Sequence, residues 1–203
     1  MVHLLLALTI GIQKPDATNL APYVPSSAEV VERMLALAKV GPNDVVYDLG
    51  CGDGRIVITA AKKYGARGVG VDIDPLRINE AIANAREAGV EKLVTFKLQD
   101  ALKTDVSEAT VVTLYLLTFG NVQLRPALQK QLRPGTRIVS HNYGMGNWEA
   151  DEVDTFTDKN GGKKTLYLWR IKDAREQALR SPQPAPCRSG QTCAQPWRTR
   201  RAS

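Results

Sequence analysis

Eight residues, Asp48-Leu49-Gly50-Cys51-Gly52-Asp53-Gly54-Arg55, follow an apolar run at 45–49 and precede an amphipathic stretch at 55–64. This glycine-rich turn between a strand and a helix limits the fold more than any other feature of the chain. Glycine admits positive φ and lets a ligand come close to the backbone. Free amides at the start of the following helix favour an anionic group. A turn of this kind sits at the end of a buried strand in a sheet that alternates with helices.

The surrounding pattern agrees. Helices are predicted at 28–39, 55–64, 75–88 and 122–132, with Ser26 or Ser27 placed to cap the first and Pro75 at the start of the third. Strands are predicted at 45–49, 68–72, 93–98, 109–116 and 137–140. Strands alternating with helices imply a parallel sheet covered on both faces. Two further strand-like runs, 153–157 and 165–171, flank Asp158-Lys159-Asn160-Gly161-Gly162, which is a hairpin signal. The expected architecture is α/β: a mostly parallel seven-stranded sheet finished by a C-terminal antiparallel hairpin.

With 203 residues, 43% of them hydrophobic, the chain suits one domain with a proper core. We place that domain at residues 21–172, after an apolar leader or arm at 1–20 and before a basic tail at 173–203. The tail holds six arginines against two acids, so most of the net charge of +6 lies there and not on the domain. Rich in Pro, Gln, Arg and Ser, it has little to bury and reads as disordered. Cys187 and Cys193 could pair only in an oxidising compartment, and no cysteine spacing suits a metal site. The apolar run at 1–12 is too short to span a bilayer as a helix and lacks the basic start of an export signal.

Three details of the loop select a ligand. Asp48 stands two positions before Gly50, where it would repel a pyrophosphate. At the position where a dinucleotide fingerprint calls for its third glycine, the chain has Arg55. Asp72 closes the next strand, 24 residues after Asp48, where a carboxylate can accept ribose hydroxyls. S-adenosyl-L-methionine fits this set: it has no phosphate, a positive sulfonium and amino group for Asp48, and a carboxylate for the loop amides. Expected cofactor contacts are Asp48, Gly50, Cys51, Gly52 and Gly54 in the loop, Asp72 on the ribose, Ile73 as an apolar wall, and Asp100 with Ala101 at the adenine. Such a cofactor argues for a cytoplasmic protein, with membrane attachment or export through 1–12 as the alternative; a monomer is expected.

From Tyr23 to about Ile171 the chain resembles the small archaeal-type protein lysine methyltransferases. These are related to the ATP synthase c-subunit lysine methyltransferases and, more distantly, to histone-lysine methyltransferases that lack a SET domain. The resemblance is carried by Tyr23-Val24-Pro25-Ser26, by Val45 to Ile58 (VVYDLGCGDGRIVI), by SEATVVTLYLL from Ser107 and by LRPGTRIVSH from Leu132. The family reads Tyr-Val-Pro-Thr-Pro at the first of these; Ser26 keeps the hydroxyl and Ser27 loses a proline. The resemblance implies a Rossmann-like class I fold, a protein substrate presenting lysine, and cofactor contacts from Tyr23, Ser26 and Tyr115.

Methyl transfer needs alignment and exclusion of water more than a strong base. A lysine amine, with a free pKa of ~10.4, loses its proton more readily when desolvated. Tyr115, Tyr23 and His141 are the candidate catalytic residues around the acceptor channel, with Tyr143 beside them. A small-molecule or lipid methyltransferase is the alternative, although no loop is long enough for an inserted cap. Nucleic acid is not expected as a partner, because Leu114-Tyr115-Leu116-Leu117 lacks the Asn/Asp-Pro-Pro-aromatic tetrad typical of enzymes that methylate amino groups of bases. A non-catalytic cofactor binder would carry the same loop.

Overall fold

The computed structural model describes residues 20–173. The apolar run at 1–12, the Cys187–Cys193 pairing and nearly all of the expected leader and tail lie outside the described residues. Within these residues, strands β1 (Val45–Leu49), β2 (Arg67–Asp72), β3 (Val94–Leu98), β4 (Val111–Leu114), β5 (Arg137–His141), β6 (Glu152–Thr157) and β7 (Lys163–Arg170) form one sheet. Its order is β3-β2-β1-β4-β5-β7-β6. The first five strands are parallel, and β7 runs antiparallel to both β5 and β6. This is the mostly parallel sheet with a C-terminal hairpin expected from the sequence.

Helices α1 (Ala28–Leu37), α2 (Arg55–Tyr64), α3 (Pro75–Glu87) and α4 (Thr118–Gln131) cover the sheet. Alternation along the strands sends side chains to both faces. Val46, Val111, Val139, Leu166 and Leu168 join Val30, Met34, Val57 and Ala60 from α1 and α2 in one buried cluster. Tyr47, Leu49, Val112, Leu114, Ile138 and Trp169 form the other with Leu124 and Leu128 from α4. A central strand buried on both faces explains why β1 reads as an unbroken apolar run interrupted only by Asp48.

Of the boundaries that differ from expectation, two shape the site. Strand β4 stops at Leu114, so Tyr115 and Leu116 leave the ladder. Helix α4 begins at Thr118, four residues earlier than expected, although Leu117 offers no side-chain cap. Tertiary contacts hold that first turn: Gly120 and Asn121 are buried, and the Asn121 amide donates to Ser140 Oγ and to the Tyr143 carbonyl, both at 3.0 Å. The short 3-10 turn at Ala101–Lys103 was also not read from the sequence.

The order of the sheet reverses between β1 and β4, whose carboxyl ends therefore splay their loops to opposite sides. That crevice is the usual ligand site of open α/β sheets. The opposite end of the sheet is tied by polar contacts instead. Arg137 pairs with Asp44 and donates to the Ala38 carbonyl at 2.8 Å, and Thr110 donates to Asp44 at 2.6 Å.

Candidate functional site

A cavity of about 400 Å³ opens at the carboxyl ends of β1, β2 and β4. Its floor is the turn after β1. The amides of Gly50 and Cys51 both donate to the Val71 carbonyl, at 2.8 and 2.9 Å, which pins the turn to β2. Gly50 has φ +83°, and a Cβ there would lie 2.9 Å from Leu116 Cδ2. Gly52 has φ +52°, and a Cβ there would collide with the Tyr23 ring. At these two positions both the backbone conformation and the space favour glycine.

Asp48 is 2% exposed and lines the cavity. Burial raises its pKa to about 7; the nearby Asp72 and Asp53 charges add to the rise, and a hydrogen bond from Thr113 opposes it. Thr113 Oγ1 lies 2.8 Å from Asp48 Oδ1. No cation among the described residues forms a salt bridge with this carboxylate. A positive charge placed beside such a buried acid would favour its ionised form.

Asp72 stands at the end of β2 beside the turn. Its Oδ2 accepts from the Gly52 amide at 2.8 Å and its Oδ1 from the Asp74 amide at 3.0 Å. One lone pair on each oxygen is thus used to hold the loop, and each oxygen keeps capacity for a second donor. Ile73, Asp74, Pro75, Gln99 and Ala101 continue the wall. Asp100 is not in the lining; its carboxylate caps the 3-10 turn, accepting from the Leu102 amide at 2.9 Å. Gln99, its neighbour, is in the lining, and its side-chain amide donates to the Lys103 carbonyl at 3.2 Å.

Gly54 also stands away from the cavity, and a Cβ there would meet Phe96 and Ala81 within 3 Å. Its part is to let the start of α2 pack closely against β3 and α3. The Cys51 side chain is tucked toward Gly70, and burial, with the Asp48 and Asp72 charges, pushes its thiol pKa up. That thiol is inert packing, and the Cys51 amide and carbonyl are held by the Val71 carbonyl and the Gly54 amide.

Residues 20–26 roof the cavity. The half-exposed Tyr23 ring lies on Gly52 under the guanidinium of Arg77, 4.4 Å from its centroid. Arg55 grips Asp53 through two nitrogens, at 2.9 and 2.5 Å, and donates to the Ser26 carbonyl at 2.6 Å. Burial works against the Asp53 charge, but the hydrogen bonds and charge of Arg55 outweigh it and hold the pKa below the usual carboxylate range. Sequence reasoning missed Asp53, Arg55, Arg77 and Gln99 as cavity residues. Arg55 did carry a signal: a cation in the first turn of a helix opposes the dipole and needs a partner.

On the β4 side, Tyr115 and Leu116 complete the lining. The Tyr115 ring packs on His141, centroids 3.9 Å apart, with Tyr143 at 6.2 Å. His141 is 2% exposed and lies behind Tyr115, outside the cavity lining. Burial and then the Lys164 charge lower its pKa to about 4, so the ring is neutral near pH 7. Its Nδ1 lies 3.0 Å from Ser26 Oγ, and its Nε2 has no hydrogen-bond partner among the described residues. Burial also raises the Tyr115 phenol pKa, with a lesser push from Tyr143. The wall is therefore aromatic and uncharged.

Residues 48–152 match the family model described as ANTKMT methyltransferase domain. A protein-lysine N-methyltransferase of Saccharolobus islandicus is 49% identical over 151 residues, spanning 74% of this chain and 93% of that protein. Adenine nucleotide translocase lysine N-methyltransferase of Mus musculus is 32% identical over 149 residues, 73% of this chain and 64% of that protein. The crystal structure of an RNA methyltransferase from Salinibacter ruber in complex with S-adenosyl-L-homocysteine is 53% identical, with a TM-score of 0.70 over 74% of this chain and 95% of that one.

Proposed function

The chain belongs to the ANTKMT methyltransferase domain family, and on that premise we propose that this S-adenosyl-L-methionine-dependent methyltransferase acts on lysine side chains of a protein. The residues present fit the cofactor. Asp48, buried and with no salt-bridge partner among the described residues, suits its positive end, whereas the Gly50, Cys51 and Gly52 amides that the sequence offered to its carboxylate are already bound to Val71 and Asp72. Asp72 has spare acceptor capacity for the ribose hydroxyls, and Ile73, Gln99 and Ala101 would enclose the base. When bound, the cofactor supplies an electrophilic methyl group on a sulfonium sulfur.

The chain's own residues then have three tasks. Tyr23, Arg55 and Ser26 keep water from the cavity by holding residues 20–26 over the turn. Tyr115 and Leu116 form the wall on the acceptor side. That wall carries no ionised group, so an entering amine is desolvated and its neutral, nucleophilic form is favoured. No base is required, and His141, with a pKa of about 4 and outside the lining, is a poor one. The observation that carries the lysine reading is this neutral aromatic wall, in a chain 49% identical to a protein named for lysine methylation.

The Salinibacter ruber relative, named for RNA, supplies a second reading. The segment after β4, Tyr115-Leu116-Leu117, has neither the amide nor the prolines with which base-amino methyltransferases hold a flipped base, which favours lysine. The test is incubation with methyl-labelled cofactor and a cell extract, followed by separate protease and ribonuclease digestion. Label on lysine is the expected result; label only in ribonuclease-sensitive material would reverse the assignment.

A further inference from the structure

His141 is buried, with two directional contacts and one ring nitrogen left unpaired among the described residues. One ring face packs on Tyr115 at 3.9 Å, and Nδ1 meets Ser26 Oγ at 3.0 Å. Nε2 is buried and finds no partner among the described residues. The directional contacts of the buried ring among the described residues are thus one aromatic contact and one hydrogen bond. Both lead somewhere specific: Tyr115 lines the acceptor side of the cavity, and Ser26 lines its roof.

Ser26 is itself held from the cofactor side. Its carbonyl accepts from Arg55, and Arg55 grips Asp53 of the glycine turn. A continuous series of contacts thus runs from the turn through Arg55, Ser26 and His141 to Tyr115. Ser26 is 4% exposed and His141 2%, so water does not compete for their hydrogen bond, and breaking it would leave a second buried ring nitrogen unpaired. The two residues are 115 apart in sequence and meet only because residues 20–26 are drawn across the sheet.

We propose that His141 is a positioning residue: tethered by Ser26, it sets the Tyr115 ring for the acceptor and makes the acceptor wall respond to occupancy of the cofactor cavity. The cofactor presses residues 20–26 onto the turn, Ser26 then fixes the imidazole, and the imidazole fixes Tyr115. By linkage, cofactor and acceptor each strengthen the binding of the other. This rests on the methyltransferase reading and is independent of whether the acceptor is lysine.

The chain has two histidines, His3 and His141, so ring-labelled histidine gives a two-residue NMR spectrum that His141→Phe assigns. The probe is S-adenosyl-L-homocysteine, titrated into the full-length protein, with its affinity followed in parallel by calorimetry. The His141 signal is expected to shift on saturation in the native protein. In Ser26→Ala the shift should vanish while the compound still binds, and Ser26→Thr should restore it. With the protein labelled in the cell-extract experiment as acceptor, Ser26→Ala and His141→Phe should lower kcat/KM about tenfold through acceptor KM, with Ser26→Thr near native, a coupling of ordinary size. A native His141 signal indifferent to saturation, or a shift that persists in Ser26→Ala, overturns the proposal. No binding of the compound at all overturns it together with the cofactor assignment. An intact His141 response with label found off lysine overturns the lysine reading alone.

Discussion

At the scale of single residues, Asp48 and Asp72 divide the work at the end of the sheet between charge and geometry. Asp48 is buried with no cationic partner among the described residues, and its pKa of about 7 means that the empty protein holds a proton there over part of the physiological range. A cationic ligand favours the ionised form, so binding expels that proton. Affinity for S-adenosyl-L-methionine should weaken as pH falls below about 7, by up to ~10-fold per unit. Calorimetry at several pH values would measure this, and Asp48→Asn should flatten the profile while weakening binding. Asp72 accepts from the Gly52 and Asp74 amides and so shapes the turn as well as facing the cavity. Asp72→Ala should reduce affinity for S-adenosyl-L-homocysteine by roughly 10- to 100-fold, the scale of one or two hydrogen bonds to a charged group. Unchanged affinity would remove Asp72 from the site.

At the scale of elements, the two ends of the sheet are built for different purposes. The amino end is knit by Arg137, Asp44 and Thr110, far from the cavity lining. Arg137→Ala leaves Asp44 partly buried without its cation and should cost about 1–3 kcal/mol of stability. Its affinity for S-adenosyl-L-homocysteine should stay native. Chemical denaturation and calorimetry on the same variant check both halves of that expectation. The carboxyl end depends on where β4 stops and α4 starts. Asn121 holds that junction by donating to Ser140 and to the Tyr143 carbonyl. Asn121→Ala should loosen the segment after β5, seen as faster amide exchange at residues 142–145, and lower turnover more than cofactor affinity.

At the scale of the whole molecule, a single reversal of strand order places the cavity. Every described residue lining it lies between Leu20 and Leu116, while the strands that follow complete the sheet that supports it. A fragment spanning residues 20–173 is therefore expected to bind S-adenosyl-L-homocysteine as tightly as the full chain, and a tenfold loss in calorimetry would show that the flanking segments contribute. Among the described residues no helix is long and apolar enough to cross a membrane. Trp169 is fully buried where the hairpin closes over β5, and its indole donates to the Trp148 carbonyl at 2.9 Å. That docking is a tertiary event between segments 21 residues apart.

The local pattern of the chain was enough to specify its elements, the mixed sheet and the loop at its centre. Glycine spacing, apolar runs and turn residues act over a few neighbours, and that range is visible in a linear string. The strand-end acids Asp48 and Asp72 were legible for the same reason: a carboxylate at the end of a buried strand stands out against apolar neighbours. Which residues face the cavity was a different matter. Asp100 and Gln99 are adjacent, yet Asp100 turns back to cap its own 3-10 turn and Gln99 joins the cavity lining. Gly54 belongs to the same motif as Gly50 and Gly52 but packs under Phe96. His141 acquires its meaning from Ser26, 115 residues away, and Arg55 from its grip on both Asp53 and the Ser26 carbonyl. Such pairings arise from packing across the sheet, where the energy of a contact depends on burial and mutual geometry that residue order does not encode locally.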